Sequence, residues 1–258
     1  MTHAERSPSP RHGVARVISK SRLGSRTQAV KWISEGRVRV NGRVVRDAEF
    51  PVRQDLDRVT VDGQLQAPTR TVVMLNKPRG LVTTTKDEQG RDTVYRCFQG
   101  ATLPWLAPVG RLDKASEGLL LFSNDPAWAA GITAPETGPE KRYHVQISCL
   151  ADASLLKALE QGVDLPGERS DAGRLAAPRI RARSARCLRS GGKNSWLEIV
   201  LDEGRNRQIR RLLAAFDVSV LRLVRIAIGP LVLGDLPKGG WRALTEEEIN
   251  ALTAKRHA

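Results

Sequence analysis

The sequence predicts an α+β fold in two parts, a small helix–hairpin module followed by a larger domain of mixed strands and helices. Asn41-Gly42 separates two short runs that alternate apolar and polar residues, which is the pattern of a tight hairpin. Further along, the apolar runs 72–75, 119–122 and 196–200 have the length of buried strands. Helical patterns occur among these runs without strict βαβ alternation, which favours α+β over a doubly wound parallel sheet.

The small module is expected over residues 14–63. Ser25 and Gln28 form a capping-box pattern, in which each side chain satisfies a backbone N–H at the start of a helix. Gly36 is typical of the residue that follows a helix end. The hairpin comes next, and a third short strand is predicted over 58–61.

The larger domain is predicted to contain two helices besides its strands. One follows Asp152 and ends near Gly162, and the other runs from Arg207 to Phe216. The expected organisation is a tail over 1–13, the small module over 14–63, a linker over 64–70, the larger domain over 71–250 and a second tail over 251–258.

The charge of the chain predicts a polyanionic partner. Lysine and arginine number 42 against 28 acidic residues, giving a net charge of +14. Nucleic acid is the first expectation and an anionic membrane surface the second, because the charge is spread along the chain rather than concentrated on one amphipathic helix. No apolar run approaches the roughly 18 residues of a membrane span, and the polar N-terminus predicts no signal peptide, so no membrane is expected. The three scattered cysteines suggest a reducing cytoplasm and fit no zinc site.

Three segments contain candidate functional residues, and the first is the turn 76–80. It follows the predicted strand 72–75 and contains Lys77 and Arg79 between turn-forming residues. The turn is expected to display both cations, although a plain surface turn explains the same pattern.

The second segment is 110–125, where Asp113 stands just before an apolar strand. A carboxylate beside a buried strand needs charged or hydrogen-bonding partners, and Arg111 is close enough in sequence to supply one. A structural ion pair would satisfy the same facts. Asp113 and Glu117 also allow a glycosidase interpretation with two carboxylates, although the basic composition does not favour a neutral sugar polymer.

The third segment, 203–216, is predicted to be an amphipathic helix from about Asn206. Its apolar face is formed by Ile209, Leu212, Leu213 and Phe216. Its basic face is formed by Arg207, Arg210 and Arg211. Periodicity alone favours a solvated basic face, and phosphate contact is the functional alternative.

Together these segments resemble a known family. Residues 23–45 resemble the RNA-binding domain of ribosomal protein S4, and Gly110-Arg111-Leu112-Asp113 resembles the signature of bacterial rRNA pseudouridine synthases that carry such a domain at the N-terminus. The family's other motifs are matched, in family order, by 76–80, 141–143, 204–211, 228–230 and 240–242. The resemblance covers about 15–249, and the main departure from it is the arginine-rich segment 169–189, where no family motif is matched.

The resemblance implies a catalytic domain with a mixed, mainly antiparallel sheet flanked by helices, and isomerisation of uridine within RNA. Asp113 would be the essential carboxylate, acting either at the sugar C1′ or on the 2′ proton. Arg210 would keep Asp113 ionised, Tyr143 would stack on the uracil, and Ile209 would pack against it. Arg111 would order the Asp113 loop or hold a flanking phosphate.

The resemblance also implies a ribosomal RNA or pre-ribosomal particle as partner, a monomer, and no metal or organic cofactor. Further substrate contacts are expected from Lys77, Lys141, Arg205, Arg207 and Arg211. The small module is expected to contact phosphates through Arg22, Arg26, Lys31, Arg37, Arg39 and Arg43.

Three alternatives stay open on the sequence alone. Large-subunit rRNA is favoured because 206–211 looks most like large-subunit members, and small-subunit rRNA is the alternative. A non-catalytic RNA-binding protein with an S4 domain would have no need of Asp113. A glycoside hydrolase would depend on Glu117 as well.

Overall fold

The structure is a computed structural model, and it describes residues 10–21, 23–53, 56–63, 69–85, 87–135, 137–164 and 179–254. The chain divides into two units. The smaller contains Met1–Thr71 with Thr102–Ala107 and Ser123–Ala127, and the larger contains Val72–Ala101, Pro108–Phe122 and Trp128–Ala258.

The described residues of the smaller unit form two helices and five short strands. In chain order they are β1 (His12–Gly13), α1 (Val14–Lys20), α2 (Arg26–Ser34), β2 (Val38–Val40), β3 (Arg43–Val44), β4 (Pro51–Val52) and β5 (Val59–Val61). Strands β3, β2 and β5 form one antiparallel sheet, and β1 pairs with β4. Apolar side chains from both helices, including Ile18 and Ile33, pack against Val38 in one core.

The local signals of this unit are confirmed. The Ser25 hydroxyl accepts from the Gln28 N–H at 3.0 Å, and the Gln28 side chain accepts from the Ser25 N–H at 2.9 Å. At the hairpin tip Asn41 and Gly42 both have positive φ, at 51° and 83°, as a tight hairpin turn requires. The N-terminal tail predicted over 1–13 is wrong at its C-terminal end, because His12–Gly13 form β1.

The larger unit is built on one large sheet. Its elements are β6 (Val72–Lys77), a 3₁₀ helix (Val94–Phe98), β7 (Ala107–Val109), β8 (Glu117–Ser123), α3 (Pro126–Thr133), β9 (Lys141–Ile147), α4 (Ala153–Gln161), β10 (Val163–Asp164), β11 (Arg179–Ile180), β12 (Ser184–Ser190), β13 (Ser195–Leu201), α5 (Gln208–Ala214), β14 (Val220–Ile228), β15 (Leu231–Val232), β16 (Trp241–Ala243) and α6 (Glu246–Thr253).

Among the residues that the structure describes, the sheet has nine strands of mixed direction. Its main path runs β12-β13-β9-β14-β8-β6-β16, with β15 pairing β14 and β7 pairing β8. The β14–β8 pair is parallel, whereas β12–β13, β13–β9, β9–β14 and β6–β16 are antiparallel. The α+β prediction is therefore confirmed.

Helices cover one side of the strands β6 and β8. Trp128 and Ile132 of α3, and Ile249 and Leu252 of α6, pack in one cluster with apolar side chains of those strands. Leu252 is buried, so the predicted C-terminal tail from 251 is wrong at its start. In the part of the chain that the structure describes, no helix has the length and apolarity needed to cross a membrane.

The basic helix is shorter than predicted. Helix α5 begins at Gln208 rather than near Asn206, because Arg207 adopts a left-handed conformation with φ of 50°. A residue in that conformation cannot continue a right-handed helix. The helix ends at Ala214, and Leu212 and Leu213 are buried as expected.

Candidate active site

One cavity of the larger unit brings together most of the predicted site residues. Its free volume, counting the part that opens to solvent, is about 870 Å³. Eight predicted residues line it, namely Arg111, Asp113, Lys141, Tyr143, Arg205, Arg207, Ile209 and Arg210. Residues that are about a hundred positions apart in the sequence thus converge on Asp113.

The backbone around Asp113 is held from below by a buried lysine. Lys77 has no exposed surface, and its Nζ donates to the carbonyl oxygens of Pro78 at 3.1 Å, Asp113 at 3.2 Å and Ser116 at 2.8 Å. Burial lowers the pKa of Lys77 to about 8, although the Asp113 carboxylate opposes that shift. The ammonium group therefore fixes the shape of the loop that carries Asp113.

The expected exposure of Lys77 is wrong. The turn 76–80 was predicted to display two cations, but only Arg79 is exposed. Lys77 ends a fully buried strand, and its side chain turns toward backbone carbonyls instead of solvent. Lys77 was predicted to contact the substrate, and the structure shows instead that it supports the Asp113 loop.

Three further bonds fix the same loop. The Thr83 hydroxyl donates to the Leu112 carbonyl at 2.7 Å, and Thr83 is buried. The Gly80 N–H donates to the Lys114 carbonyl at 2.8 Å, and within the loop the Ser116 N–H donates to the Asp113 carbonyl at 2.9 Å. Asp113 is thus held in place by its own backbone and by Lys77 and Thr83.

Arg210 faces the same cavity without touching the Asp113 carboxylate. Its Nη1 donates to the Val220 carbonyl at 3.3 Å and its Nη2 to the Ala115 carbonyl at 3.5 Å. Burial lowers the pKa of Arg210, and the nearby positive charge of Arg207 lowers it further, whereas Asp113 raises it. The described side chains show no Arg210–Asp113 ion pair within 4.0 Å, so the attraction between them acts across the cavity.

The walls of the cavity differ in character. Tyr143 and Lys141 lie on β9 with their side chains on the cavity side, and both are largely buried. Ile209 of α5 and Leu223 of β14 add apolar surface. A flat aromatic ring beside aliphatic side chains is suited to hold a planar base.

The loop that carries Arg205 and Arg207 is joined by hydrogen bonds to the Gln208 side chain. The buried Gln208 side chain accepts from the Arg205 N–H at 3.1 Å and donates to the Arg181 carbonyl at 3.1 Å and to the Glu203 carboxylate at 3.0 Å. Arg205 also pairs with Glu203 at 2.8 Å. Arg207 is exposed and lines the cavity. Arg211 lies outside the cavity lining.

Glu117 does not share the cavity with Asp113. Its carboxylate binds Arg222 at 2.8 Å and Lys238 at 2.9 Å. The hydrogen bonds from Arg222 lower the pKa of Glu117 to about 2, the opposite of what a general acid needs. The two-carboxylate arrangement of a glycosidase is therefore contradicted.

The described cations that were predicted to contact phosphate in the smaller unit fall into two groups. Arg26, Lys31 and Arg37 pair with Glu49, Glu35 and Asp62, respectively. Arg39 and Arg43 are exposed, and the described residues offer them no carboxylate partner. Arg22 lies outside the described residues.

Sequence reasoning missed Thr83, Gln208 and Arg225. Gln208 stands inside the arginine-rich motif but has no charge to attract attention. Arg225 had a detectable signal, since it is a charged residue at an inward position of the strand Val220–Ile228. The part of the structure that is described contains no group of three or more His, Cys, Asp or Glu placed to hold a metal ion.

Comparisons with known proteins agree with this geometry. Residues 71–215 match the RNA pseudouridylate synthase family, and residues 14–59 match the S4 domain. An uncharacterized RNA pseudouridine synthase of Aquifex aeolicus is 37% identical over 241 residues, which cover 93% of this chain and 92% of that one.

Two named relatives and one solved structure add to this. The ribosomal large subunit pseudouridine synthase B of Bacillus subtilis is 32% identical, over 93% of this chain and 94% of its own. The protein of that name in Haemophilus influenzae is also 32% identical, and this chain covers 66% of its length. A crystal structure of a pseudouridylate synthase aligns with a TM-score of 0.62 at 30% identity, over 95% of this chain and all of that one. The chain therefore belongs to the RNA pseudouridylate synthase family, with an S4 domain preceding the matched catalytic region.

Proposed function

We propose that this enzyme converts uridine to pseudouridine in ribosomal RNA, and that the rRNA is that of the large subunit. The observation that carries the proposal is the cavity in which Asp113 faces Tyr143, Ile209 and Arg210. The relatives named for the large ribosomal subunit support the choice of rRNA. The small-subunit rRNA is the alternative substrate.

The reaction replaces one bond between sugar and base with another. The C1′–N1 bond breaks, the uracil turns while it is held, and a C1′–C5 bond forms as C5 loses its proton and N1 gains one. Asp113 acts either as the nucleophile at C1′ or as the base that removes the 2′ proton. Tyr143 stacks on the uracil and Ile209 packs against it, so neither side chain needs to ionise.

Arg210 acts on Asp113 through its charge. A carboxylate loses stability in its ionised form when a bound base excludes water from the site, and a nearby cation offsets that loss. Arg210 is held by two backbone carbonyls at the cavity edge, so its positive charge stays in place when the substrate enters.

The target nucleotide must leave its stack to reach Asp113. Extrusion costs a few kcal/mol, which stacking and phosphate contacts offset. Arg111, Arg205 and Arg207 at the cavity and Arg79 on its turn supply cations for the flanking phosphates. In the small module, Arg39 and Arg43 are the cations best placed to bind phosphate.

The proposal divides the work along the chain. Residues 14–63 anchor the RNA and 71–250 perform the chemistry, with 64–70 as the linker, of which 64–68 lie outside the described residues. The enzyme acts as a monomer in the cytoplasm. Of the arginine-rich segment 169–189, residues 169–178 lie outside the described residues and the rest form β11 and most of β12.

A tritium-release assay tests the chemistry. Asp113→Asn should fold normally, bind rRNA and release no tritium from C5-labelled uridine. Asp152→Asn is the matched control, because Asp152 caps α4 far along the chain from the site and asparagine caps a helix comparably. Tritium release by Asp113→Asn at the rate of the control would refute the assignment and favour a non-catalytic S4-domain protein.

A mapping experiment tests the substrate. Carbodiimide modification with primer extension would be applied to rRNA from cells with and without the gene. Loss of a pseudouridine from large-subunit rRNA is the expected result, and loss from small-subunit rRNA alone would overturn the choice of subunit.

A further inference from the structure

Arg225 is a buried arginine in the lining of the active-site cavity. It lies on β14, where it pairs in register with Tyr143 of β9 on one side and with Gly118 of β8 on the other. Only 5% of its surface is exposed, and it lines the same cavity as Asp113. It therefore lies between the strand that presents Tyr143 and the strand that follows the Asp113 loop.

The hydrogen-bonding capacity of Arg225 is mostly unused. Its Nε donates to the Leu119 carbonyl at 2.7 Å. Its Nη2 is buried and finds no acceptor among the described residues, and no carboxylate there pairs with the guanidinium. A guanidinium has five N–H donors and is always charged, so leaving it buried and largely unpaired is unfavourable unless another group completes the site.

Arg222 on the same strand shows the contrast. Three residues earlier, it faces away from the cavity, forms a two-pronged contact with the Glu117 carboxylate and stacks over Trp196 at 5.8 Å. β14 thus carries one arginine that is paired with a carboxylate within the fold and another that has no carboxylate partner among the described residues. The arginine with unpaired N–H groups is the one that lines the cavity with Asp113.

We propose that Arg225 contacts the substrate, its guanidinium donating a hydrogen bond to a carbonyl oxygen of the target uracil. The inference rests on the proposed function. A base stacked on Tyr143 would lie beside the neighbouring strand that carries Arg225. Uracil has two exocyclic carbonyl oxygens and no exocyclic donor, so it supplies the acceptor that the guanidinium lacks.

The contact would matter most after the glycosidic bond breaks. The electron pair of the C1′–N1 bond stays on the base, and its negative charge spreads over N1, O2 and O4. A charged donor at a carbonyl oxygen stabilises that anion more than neutral uracil, because the positive guanidinium attracts the negative charge that develops on the oxygen. Arg225 would also hold the detached base in the cavity while it turns.

Sulfur substitution in the substrate tests the contact atom by atom. Short rRNA fragments would carry uridine, 2-thiouridine or 4-thiouridine at the target position, and single-turnover rates and KM would be measured by chromatography of the digested product. Because sulfur is a weaker acceptor, one thio substrate should react about tenfold more slowly with the wild-type enzyme, if its hydrogen bond contributes about 1.4 kcal/mol to the barrier. Slowing by neither thio substrate would overturn the proposal without any protein variant.

The protein side of the test uses Arg225→Met and Arg225→Lys, with Arg222→Lys as the matched control. Arg225→Met should lower kcat by about 10²-fold, the scale for losing one donor at a developing charge, and should lose the difference between uridine and the thio substrate. Arg225→Lys should restore part of the rate. If the thio substrate slows wild type and Arg225→Met by the same factor relative to uridine, Arg225 only supports the fold. The proposed function has its own refutation, which is activity of Asp113→Asn.

Discussion

Replacing Lys77 with methionine should separate the geometry of the active site from the stability of the fold. The buried ammonium group donates to three backbone carbonyls, two of which belong to the loop of Asp113. Methionine keeps a similar volume but removes the charge and all three donors. Lys114→Met is the matched control, because Lys114 follows Asp113 directly and is exposed.

The effect on stability at neutral pH should be small, because two terms oppose each other. Lowering the pKa of Lys77 from 10.5 to about 8 corresponds to about 3.4 kcal/mol spent on keeping the buried group protonated. Hydrogen bonds from the amine to the backbone carbonyls, at about 1.5 kcal/mol each, are a stabilising term of about the same size. Methionine should therefore destabilise the fold by at most about 1 kcal/mol at pH 7.

The difference in the free energy of unfolding between wild type and Lys77→Met should grow as the pH rises. Between pH 8 and 10.5 the unfolded wild-type chain keeps a proton on Lys77 that the native protein has lost, so rising pH favours the native state. With those two pKa values, the wild type gains about 2 kcal/mol between pH 7 and pH 9.5, a gain that a chain without Lys77 cannot make. Urea denaturation of both proteins at the two pH values measures this gain.

The effect on activity should be large at neutral pH, where Lys77 of the wild type is protonated. Without the ammonium group the carbonyls of Asp113 and Ser116 lose a donor and the loop relaxes, and displacement of a reacting group by about 1 Å lowers the rate about 10²-fold. Tritium release at saturating rRNA measures this loss. A wild-type kcat in Lys77→Met, or a stability difference that stays constant with pH, would refute the role given to Lys77.

Two further predictions concern other parts of the chain. Gly118→Ala should lower the free energy of unfolding by about 3 kcal/mol or more, because φ is +98° and a Cβ would lie 2.2 Å from the Arg225 carbonyl oxygen. Gly131→Ala, in a helix with open space around it, should raise the free energy of unfolding by about 0.5–1 kcal/mol. Thermal unfolding compares the two variants, and equal effects would contradict the close packing of β8 on β14. The double variant Arg39→Gln/Arg43→Gln should flatten the slope of the log binding constant for single-stranded rRNA against log salt concentration by about 1.4, at about 0.7 per phosphate. Lys31→Gln is the control, and an equal slope in the two proteins would show that neither arginine binds phosphate.

The parts of the fold that sequence could predict are those governed by neighbouring residues. The capping box at Ser25, the Asn41-Gly42 turn and the cap at Asp152 each depend on a few adjacent positions, and each is found. The convergence of Asp113 with Tyr143 and Arg210 depends on sheet order, which no local pattern encodes. It was predicted only through resemblance to a family.

The remaining errors have physical causes. A lysine at the end of a strand can turn inward or outward, and only the carbonyl oxygens gathered below the Asp113 loop make the inward position of Lys77 favourable. Glu117 is four residues from Asp113, which would place the two side chains together on a helix. Here the chain enters a strand at Glu117, and its side chain turns to Arg222 instead.

The support of Asp113 by Lys77 and Thr83 has a consequence for how such an enzyme can be altered. The loop reaches its working shape through bonds inside the protein, and the exposed arginines that would touch RNA take no part in them. Which RNA is bound and how the bond is exchanged are therefore separable properties. A designer could replace the surface arginines, or exchange the small module for another RNA-binding domain, and so redirect the same chemistry to a new uridine.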